Sequence, residues 1–195
     1  ERTPVALRAA ARYLGSLGAA NVYAPSAAGE PRLVAEADKL DADATWKRQV
    51  GARVELEGTL QISGTRLVVD PGTTVHVEDG VEVQVGYYDN AGLELRGTAE
   101  APITFRGLRD EPGSWGGIVL FEKAKGNVLE HVVLRNAGGQ AGVRFDGAAD
   151  GKVVDLRCDA CSAPGLTWTC SSKVEHQGVV AGEGTPKDYE DPSCN

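Results

Sequence analysis

The residues with the greatest chemical capacity in this sequence are four cysteines, three histidines, and a set of arginines and carboxylates on short apolar-polar runs. Cys158-x2-Cys161-x8-Cys170-x23-Cys194 confines an even cysteine count to the last 38 residues, with Pro164, Gly165 and Gly182 in the loops between. Two disulfides are expected, because a loop-rich end gains most from cross-links. The rival is a structural zinc site, whose first half, Cys-x2-Cys, is present but whose second half lacks the paired spacing of a ribbon. Three pairings remain open, with a lean to Cys161–Cys170 and Cys158–Cys194.

His76 and His131 occupy polar positions inside β-type runs and His176 lies near the C-terminal end. None has a second histidine or a carboxylate at metal-ligand spacing, so solvated or hydrogen-bonded structural histidines are expected. Ser114, in Gly-Ser-Trp-Gly-Gly, misses the nucleophile-elbow template, which needs glycine at position 112, where proline stands. Asp41-Ala-Asp43 is the only Asp-x-Asp, while Asp70 and Asp89-Asn90 fall where these residues favour turns for backbone reasons. Polysaccharide elimination needs a base backed by a cation or arginine, and inverting hydrolysis needs two spaced carboxylates. No such cluster is contiguous here. A cryptic one stays open if Arg96, Arg106, Arg135 and Arg144, on or beside β-runs, align across coils with Glu94, Glu130 or Asp146. The acidic run Lys187-Asp-Tyr-Glu-Asp-Pro-Ser193 has oxygen donors for calcium but reads better as a solvated end. No cofactor is otherwise indicated.

These groups sit in a chain of 195 residues that is 42% hydrophobic and carries a net charge of −8. The apolar fraction suffices for a core, and the acidic balance disfavours nucleic acid and anionic membranes as partners. No apolar stretch approaches the roughly 20 residues of a membrane span, so no transmembrane segment is expected. A sequence that starts at Glu1 and has no methionine fits a mature exported chain whose signal peptide is gone, although a trimmed domain would look the same. The expected location is extracellular, periplasmic or on the outer cell surface.

Residues 1–50 carry 7 basic and 6 acidic side chains, whereas residues 51–195 carry 13 and 22. The texture changes at the same point. Thr3 can cap a helix, Pro4 suits its first position, and Leu7, Ala10 or Ala11, Leu14 and Leu17 recur at steps of three and four, so an amphipathic helix of about 12 residues is expected. Residues 21–39 read as an irregular connection. After residue 50, short alternating runs such as Val81-Glu-Val-Gln-Val85 and Leu93-Glu-Leu-Arg96 have the texture of half-buried strands. Asp79-Gly80, Asp146-Gly147 and Asp150-Gly151 are the only Asp-Gly dipeptides and no Asn-Gly occurs, so a plain antiparallel meander is under-signalled. The cores Val75-His-Val77, Ile103-Thr-Phe105, Val132-Val-Leu134 and Val154-Asp-Leu156 start 28, 29 and 22 residues apart. That quasi-period suits a solenoid, in which successive coils share an inward column of Val, Leu, Ile and Phe; the rival is a β-sandwich with irregular loops.

Specific motifs sharpen this. Asp43-Ala-Thr-Trp46, Val54-Glu-Leu-Glu-Gly58 and Leu67-Val-Val-Asp-Pro-Gly-Thr73, then Leu93-Glu-Leu-Arg-Gly-Thr98, Ala101-Pro-Ile-Thr-Phe105, Gly113-Ser-Trp-Gly-Gly-Ile118 and Asn127-Val-Leu-Glu-His131, resemble in order the rungs of right-handed parallel β-helix modules of exported and surface bacterial lipoproteins. The likeness covers about residues 43–139. It implies the pectate-lyase-like fold and no activity. Physical reasoning gives those residues packing roles: Pro71 and Gly72 turn the chain between two strands of a rung, Trp115 packs under a loop with Gly116 and Gly117 permitting close backbone approach, and Trp46 covers the start of the first coil. Trp168 stands among Leu166, Thr167 and Thr169 near the cysteines.

The expected architecture is all-β: a right-handed parallel β-helix of about four coils over residues 47–160, an N-terminal capping segment (1–46) with one helix, and a disulfide-bonded C-terminal cap (161–195). The expected function is a non-catalytic extracellular or cell-surface module that docks a protein partner or assembles, since fold does not dictate activity. The alternative is a carbohydrate-binding or polysaccharide-cleaving β-helix, because lateral faces of such solenoids offer glycan grooves.

Overall fold

The structure is a computed structural model that describes residues 5–18, 21, 23–24, 29–36, 39–190 and 192. Every paired strand in it is parallel, and each coil runs through three flat faces in fixed order. One coil consists of β2 (Arg32–Glu36) on the first face, β3 (Lys39–Leu40) on the third and β4 (Ala44–Trp46) on the second. The next repeats this with β5 (Arg53–Glu57), β6 (Leu60–Ile62) and β7 (Arg66–Val69). Then follow β8 (Thr74–Val77), β9 (Glu82–Val85) and β10 (Gly92–Arg96), and after them β11 (Ile103–Gly107) and β12 (Gly117–Leu120). From there β13 (Asn127–Arg135) and β15 (Asp150–Asp159) each bend across two faces, with β14 (Val143–Phe145) between them. The last coil holds β16 (Leu166–Trp168), β17 (Lys173–Gln177), β18 (Val180–Ala181) and β19 (Tyr189–Glu190).

Two corners explain the long strands. His131 and Asp155 adopt φ of 48° and 51°, the left-handed region, so one residue turns the chain from the second face to the first without a loop. Asn136 and Ala160, at 62° and 49°, turn it off the first face again.

The solenoid makes about seven turns, one per strand of its seven-stranded third face, and corrects the expected four. The undercount arose at both ends. Residues 21–39, expected to be irregular, contain β2 and the start of β3, and coils continue past residue 160 to β19. The expected N-terminal α-helix is also corrected: Val5–Ala10 form β1, paired parallel with β2, and only Ala11–Ser16 are helical, as a 3-10 turn. Helical spacing lost because β2 would otherwise leave a row of unpaired N–H and C=O groups, which β1 satisfies. Ala11 and Leu14 still bury against the core, and the Trp46 indole donates to the Ala11 carbonyl at 3.1 Å. The proposed cap at Thr3 and Pro4 lies outside the described residues.

Core columns run the length of the stack. On the first face Leu33, Val54, Val75, Phe105, Leu134 and Cys158 lie in register. On the third face Leu40, Ile62, Val85, Leu120 and Phe145 do the same, ending in Trp168. Fully burying each such side chain contributes roughly 1.5–3 kcal/mol, so stability accumulates coil by coil. The second-face column ends in His176, which with Trp168 and Tyr189 forms an aromatic cluster with ring separations of 4.7–5.9 Å. Buried Asn127 ties three coils together: its Oδ1 accepts from the Leu93 N–H at 3.0 Å and its amide donates to the Asp150 carbonyl at 2.6 Å.

The cysteine lean is corrected as well. Cys158 bonds Cys161, both fully buried, with Cα atoms 6.0 Å apart. The left-handed turn at Ala160 folds the chain back as it leaves the first face, so the nearest partner is three residues on. Cys170 is also disulfide-bonded, and Cys194 lies outside the described residues.

Candidate binding face

The outward positions of the first face gather the ionic groups that the core rejects. Register stacks Glu55 on β5, His76 on β8, Arg106 on β11, Arg135 on β13 and Asp159 on β15, each directly over the last. Neighbouring parallel strands lie about 4.8 Å apart, so these side chains compete for the same space. Thr74 and Thr104 occupy the adjoining column.

The acids at the two ends of this row are already engaged. Glu55 is completely buried, accepts from Arg32 through two guanidinium nitrogens, one at 2.7 Å, and meets Arg53 Nη2 at 2.6 Å. Burial alone would raise its pKa, but the Arg32 hydrogen bond and the charges of Arg53 and Arg32 outweigh it and hold the carboxyl below its ordinary range. Asp159 accepts from its own neighbour Arg157 at 2.7 Å.

The middle of the row is different. Arg106 and Arg135 are directly opposed, an arrangement that like charges disfavour. Among the described residues Arg106 has one ion pair, with Asp110 at 4.0 Å, whose Oδ1 also takes the Asn136 amide at 3.2 Å. Arg135 has no ion pair among the described residues, and the Nε atoms of both arginines are buried without a hydrogen-bond partner. His76 beside them has its pKa lowered to about 4, first by burial and then by the positive charges of Arg53 and Arg106, with Glu55 opposing. It is therefore neutral at pH 7. A cleft of about 290 Å³ lined by Glu30, Arg48, Arg53, Thr74 and His76 opens at the N-terminal side of this row.

The other residues singled out from the sequence fall elsewhere. Arg96 does align with Glu94 and Glu130, on the second face, in a surface ladder: Arg66–Glu94 at 2.9 Å, Arg96–Glu94 at 3.2 Å, Arg96–Glu130 at 3.3 Å and Lys152–Glu130 at 3.6 Å. Arg144 pairs with Asp146 at 2.8 Å on the third face. The four arginines are thus divided over three faces, and only Arg106 and Arg135 come together. Asp43 Oδ1 accepts from the Thr65 hydroxyl and the Arg66 N–H at 2.7 and 2.8 Å, which lower its pKa, while Asp41 pairs with Arg12. His131 Nδ1 lies 3.5 Å from Asp155 across successive corners. The Ser114 hydroxyl donates to the Arg109 carbonyl at 3.2 Å.

Trp115 is fully buried, stacks 6.3 Å from Phe105 and donates to the Arg135 carbonyl at 2.8 Å. It sits under the binding face rather than on it. A Cβ at Gly116 would meet Glu82, and one at Gly117, with φ of 90°, would lie 2.6 Å from the Ala141 carbonyl oxygen. Gly72, with φ of 72°, follows Pro71 in a turn closed by the Thr73 N–H on the Asp70 carbonyl. Trp46 is 2% exposed. Among the described residues, no three His, Cys, Asp or Glu side chains gather as metal ligands, and no helix is long and apolar enough to cross a membrane.

The repeat alignment matched Ile103 to Val132, as the register does, which levels Arg106 with Arg135, but it slipped at the steps on either side and so left His76 out of the row. It matched Val75 to Ile103 and Val132 to Val154; the register pairs Val75 with Phe105 and Val132 with Leu156. A slip of two keeps the correct face but shifts every outward residue by one position along it. The usable signal was the Phe-Arg and Leu-Arg dipeptides at 105–106 and 134–135.

Comparison with known proteins agrees with this geometry. A family described as pectate-lyase like beta helix domain matches residues 39–149, more than half the chain and the stretch from β3 to the turn before β15. No curated protein and no solved structure matches it. With coils, corners and stacked columns spanning the matched segment, the chain belongs to the pectate-lyase-like β-helix domain family.

Proposed function

We propose that this chain is a non-catalytic binding module of an exported protein and that it docks its partner through the outer side of the first face. The observation that carries this reading is the opposed Arg106–Arg135 pair. Two opposed guanidiniums that share one distant carboxylate, Asp110, beside threonine hydroxyls form a recognition surface, whereas the flanking acids Glu55 and Asp159 are bound to arginines of their own. A carboxylate so bound is a poor general base or nucleophile. Burial of both cysteines of a disulfide suits an oxidising, extracytoplasmic compartment.

Cleavage of an acidic polysaccharide is the second reading, favoured by neutral His76 lying in register with Arg106. Its pKa of about 4 makes His76 a weak base at neutral pH, well away from the range in which proton abstraction is efficient. The discriminating experiment incubates the full chain with polyuronate and with neutral glycans, with and without calcium, and measures new reducing ends and unsaturated products. No turnover is expected. Turnover that disappears in His76→Ala or Arg106→Ala overturns the binding-module reading.

A further inference from the structure

The first-face arginine pair carries a more specific inference. We propose that Arg106 and Arg135 form a clamp for one tetrahedral oxyanion, a sulfate or phosphate group, held across two successive coils. This deepens the binding-module reading by naming the chemical group that the face takes.

The argument begins with backbone register. Arg106 and Arg135 are Cα partners on adjacent parallel strands, so their side chains leave the sheet at the same height and on the same side. Like charges opposed in this way repel unless an anion lies between them. Elsewhere around the coils the chain places carboxylates beside other arginines: Glu55 by Arg32 and Arg53, Glu94 and Glu130 by Arg96, Asp146 by Arg144, Asp159 by Arg157. Among the described residues the Arg106–Arg135 pair has Asp110 alone as an ion-pair partner, at 4.0 Å from one member. A net positive charge is left at the centre of a chain whose total is −8.

Side-chain packing presents this charge outward. The Nε atom of each arginine is buried with no partner, and the Arg106 side chain as a whole is 33% exposed, so its open surface belongs to the rest of the side chain. The strand ends beneath are anchored: Trp115 donates to the Arg135 carbonyl at 2.8 Å, and the Asn136 N–H donates to the Asp159 carbonyl at 3.0 Å. Asn136 also holds Asp110 to one side through its amide. Two guanidinium groups carried side by side on adjacent strands offer more donors than a two-oxygen carboxylate placed between them accepts in good geometry. A tetrahedral group presents oxygens to both forks and one more toward Thr104 in the adjoining column. The acidic remainder of the molecule repels extended polyanions, which confines binding to one local group.

The test uses the full chain at low ionic strength. Thermal midpoints and calorimetric titrations are recorded with sodium sulfate and with sodium phosphate, against sodium chloride at matched ionic strength. A sugar sulfate ester and a sugar phosphate ester separate an esterified group from the free anion, and sulfur from phosphorus. Sulfate or phosphate is expected to raise the wild-type melting midpoint where chloride does not. Arg135→Gln and Arg106→Gln are expected to weaken that saturation by roughly tenfold or more, the loss of one charge-assisted fork. Both variants should melt no lower than wild type in chloride, because each removes a repulsive neighbour. An Arg96→Gln control on the second face should respond as wild type does. Equal responses in wild type and both first-face variants, or a chloride effect equal to that of sulfate, overturn the clamp. Polysaccharide turnover with an intact arginine-dependent sulfate response instead overturns the non-catalytic reading and leaves the clamp standing.

Discussion

At the scale of single residues, His76 shows how a neighbourhood sets a charge state. Its ring faces Arg53, Arg106 and Glu55, and burial with the two arginines keeps it neutral down to a pH of about 4. An unfolded histidine titrates near 6.5, so between those values the unfolded chain binds the extra proton and stability falls as pH is lowered. The expected loss from this group is about 1–2 kcal/mol between pH 6.5 and 4, after allowing for partial solvent screening. Chemical denaturation across that range, comparing wild type with His76→Gln, checks it through a flatter pH profile in the variant. Gly117 makes a steric case. Its φ of 90° and a virtual Cβ 2.6 Å and 2.7 Å from two carbonyl oxygens leave no room for a side chain. Gly117→Val should therefore cost about 3 kcal/mol or more, whereas Gly80→Ala, left-handed but with nothing within 4 Å, should cost about 1–2 kcal/mol. Similar melting of the two variants would remove the close-approach argument.

Between elements, the same ion-pair chemistry has unequal value according to where register places it. Arg96 is about half exposed, and its pairs with Glu94 and Glu130 stand in solvent, so Arg96→Ala should lower stability by less than about 1 kcal/mol. Arg32 links β2 to Glu55 on β5, where the carboxylate is fully buried. Arg32→Ala strands that charge with Arg53 as its remaining partner and should cost about 3 kcal/mol, measured by urea denaturation. The Cys158–Cys161 bond closes a very short loop within the turn leaving β15. Its effect on the unfolded chain is correspondingly small, about 2 kcal/mol. A Cys158→Ala/Cys161→Ala variant should lose that amount plus the packing of Cys158 in the first-face column; a loss well above 5 kcal/mol would point to a long-range role.

For the whole molecule, stacking makes stability a sum over neighbouring coils with weak links at the two ends. Amide exchange should be slowest in β8, β11 and β13, which have a coil on either side, and fastest in β17–β19, whose last coil closes only on the half-exposed Trp168, His176 and Tyr189 cluster. Uniform protection along the stack would mean that the chain unfolds as one cooperative unit. The same one-dimensional plan bears on function, because it brings residues about 30 apart in sequence to one height on a lateral face, as with His76, Arg106 and Arg135.

The sequence by itself determined the class of the fold. Alternation of Val, Leu and Ile with polar residues, punctuated by glycine, is a local property, and a solenoid uses the same local pattern in every coil. The motifs from Asp43 to His131 carried the family likeness for the same reason. The ends were not legible. Leu7, Leu14 and Leu17 have helical spacing, yet an unpaired strand edge reaches them through space and takes residues 5–10 into the sheet. Cysteine pairing waited on the turn at Ala160. The candidate site was legible in part: the matched repeats at Ile103 and Val132 level Arg106 with Arg135, but loops of unequal length between the other first-face strands conceal where His76 and Asp159 join them, because parallel pairing fixes which outward residues meet.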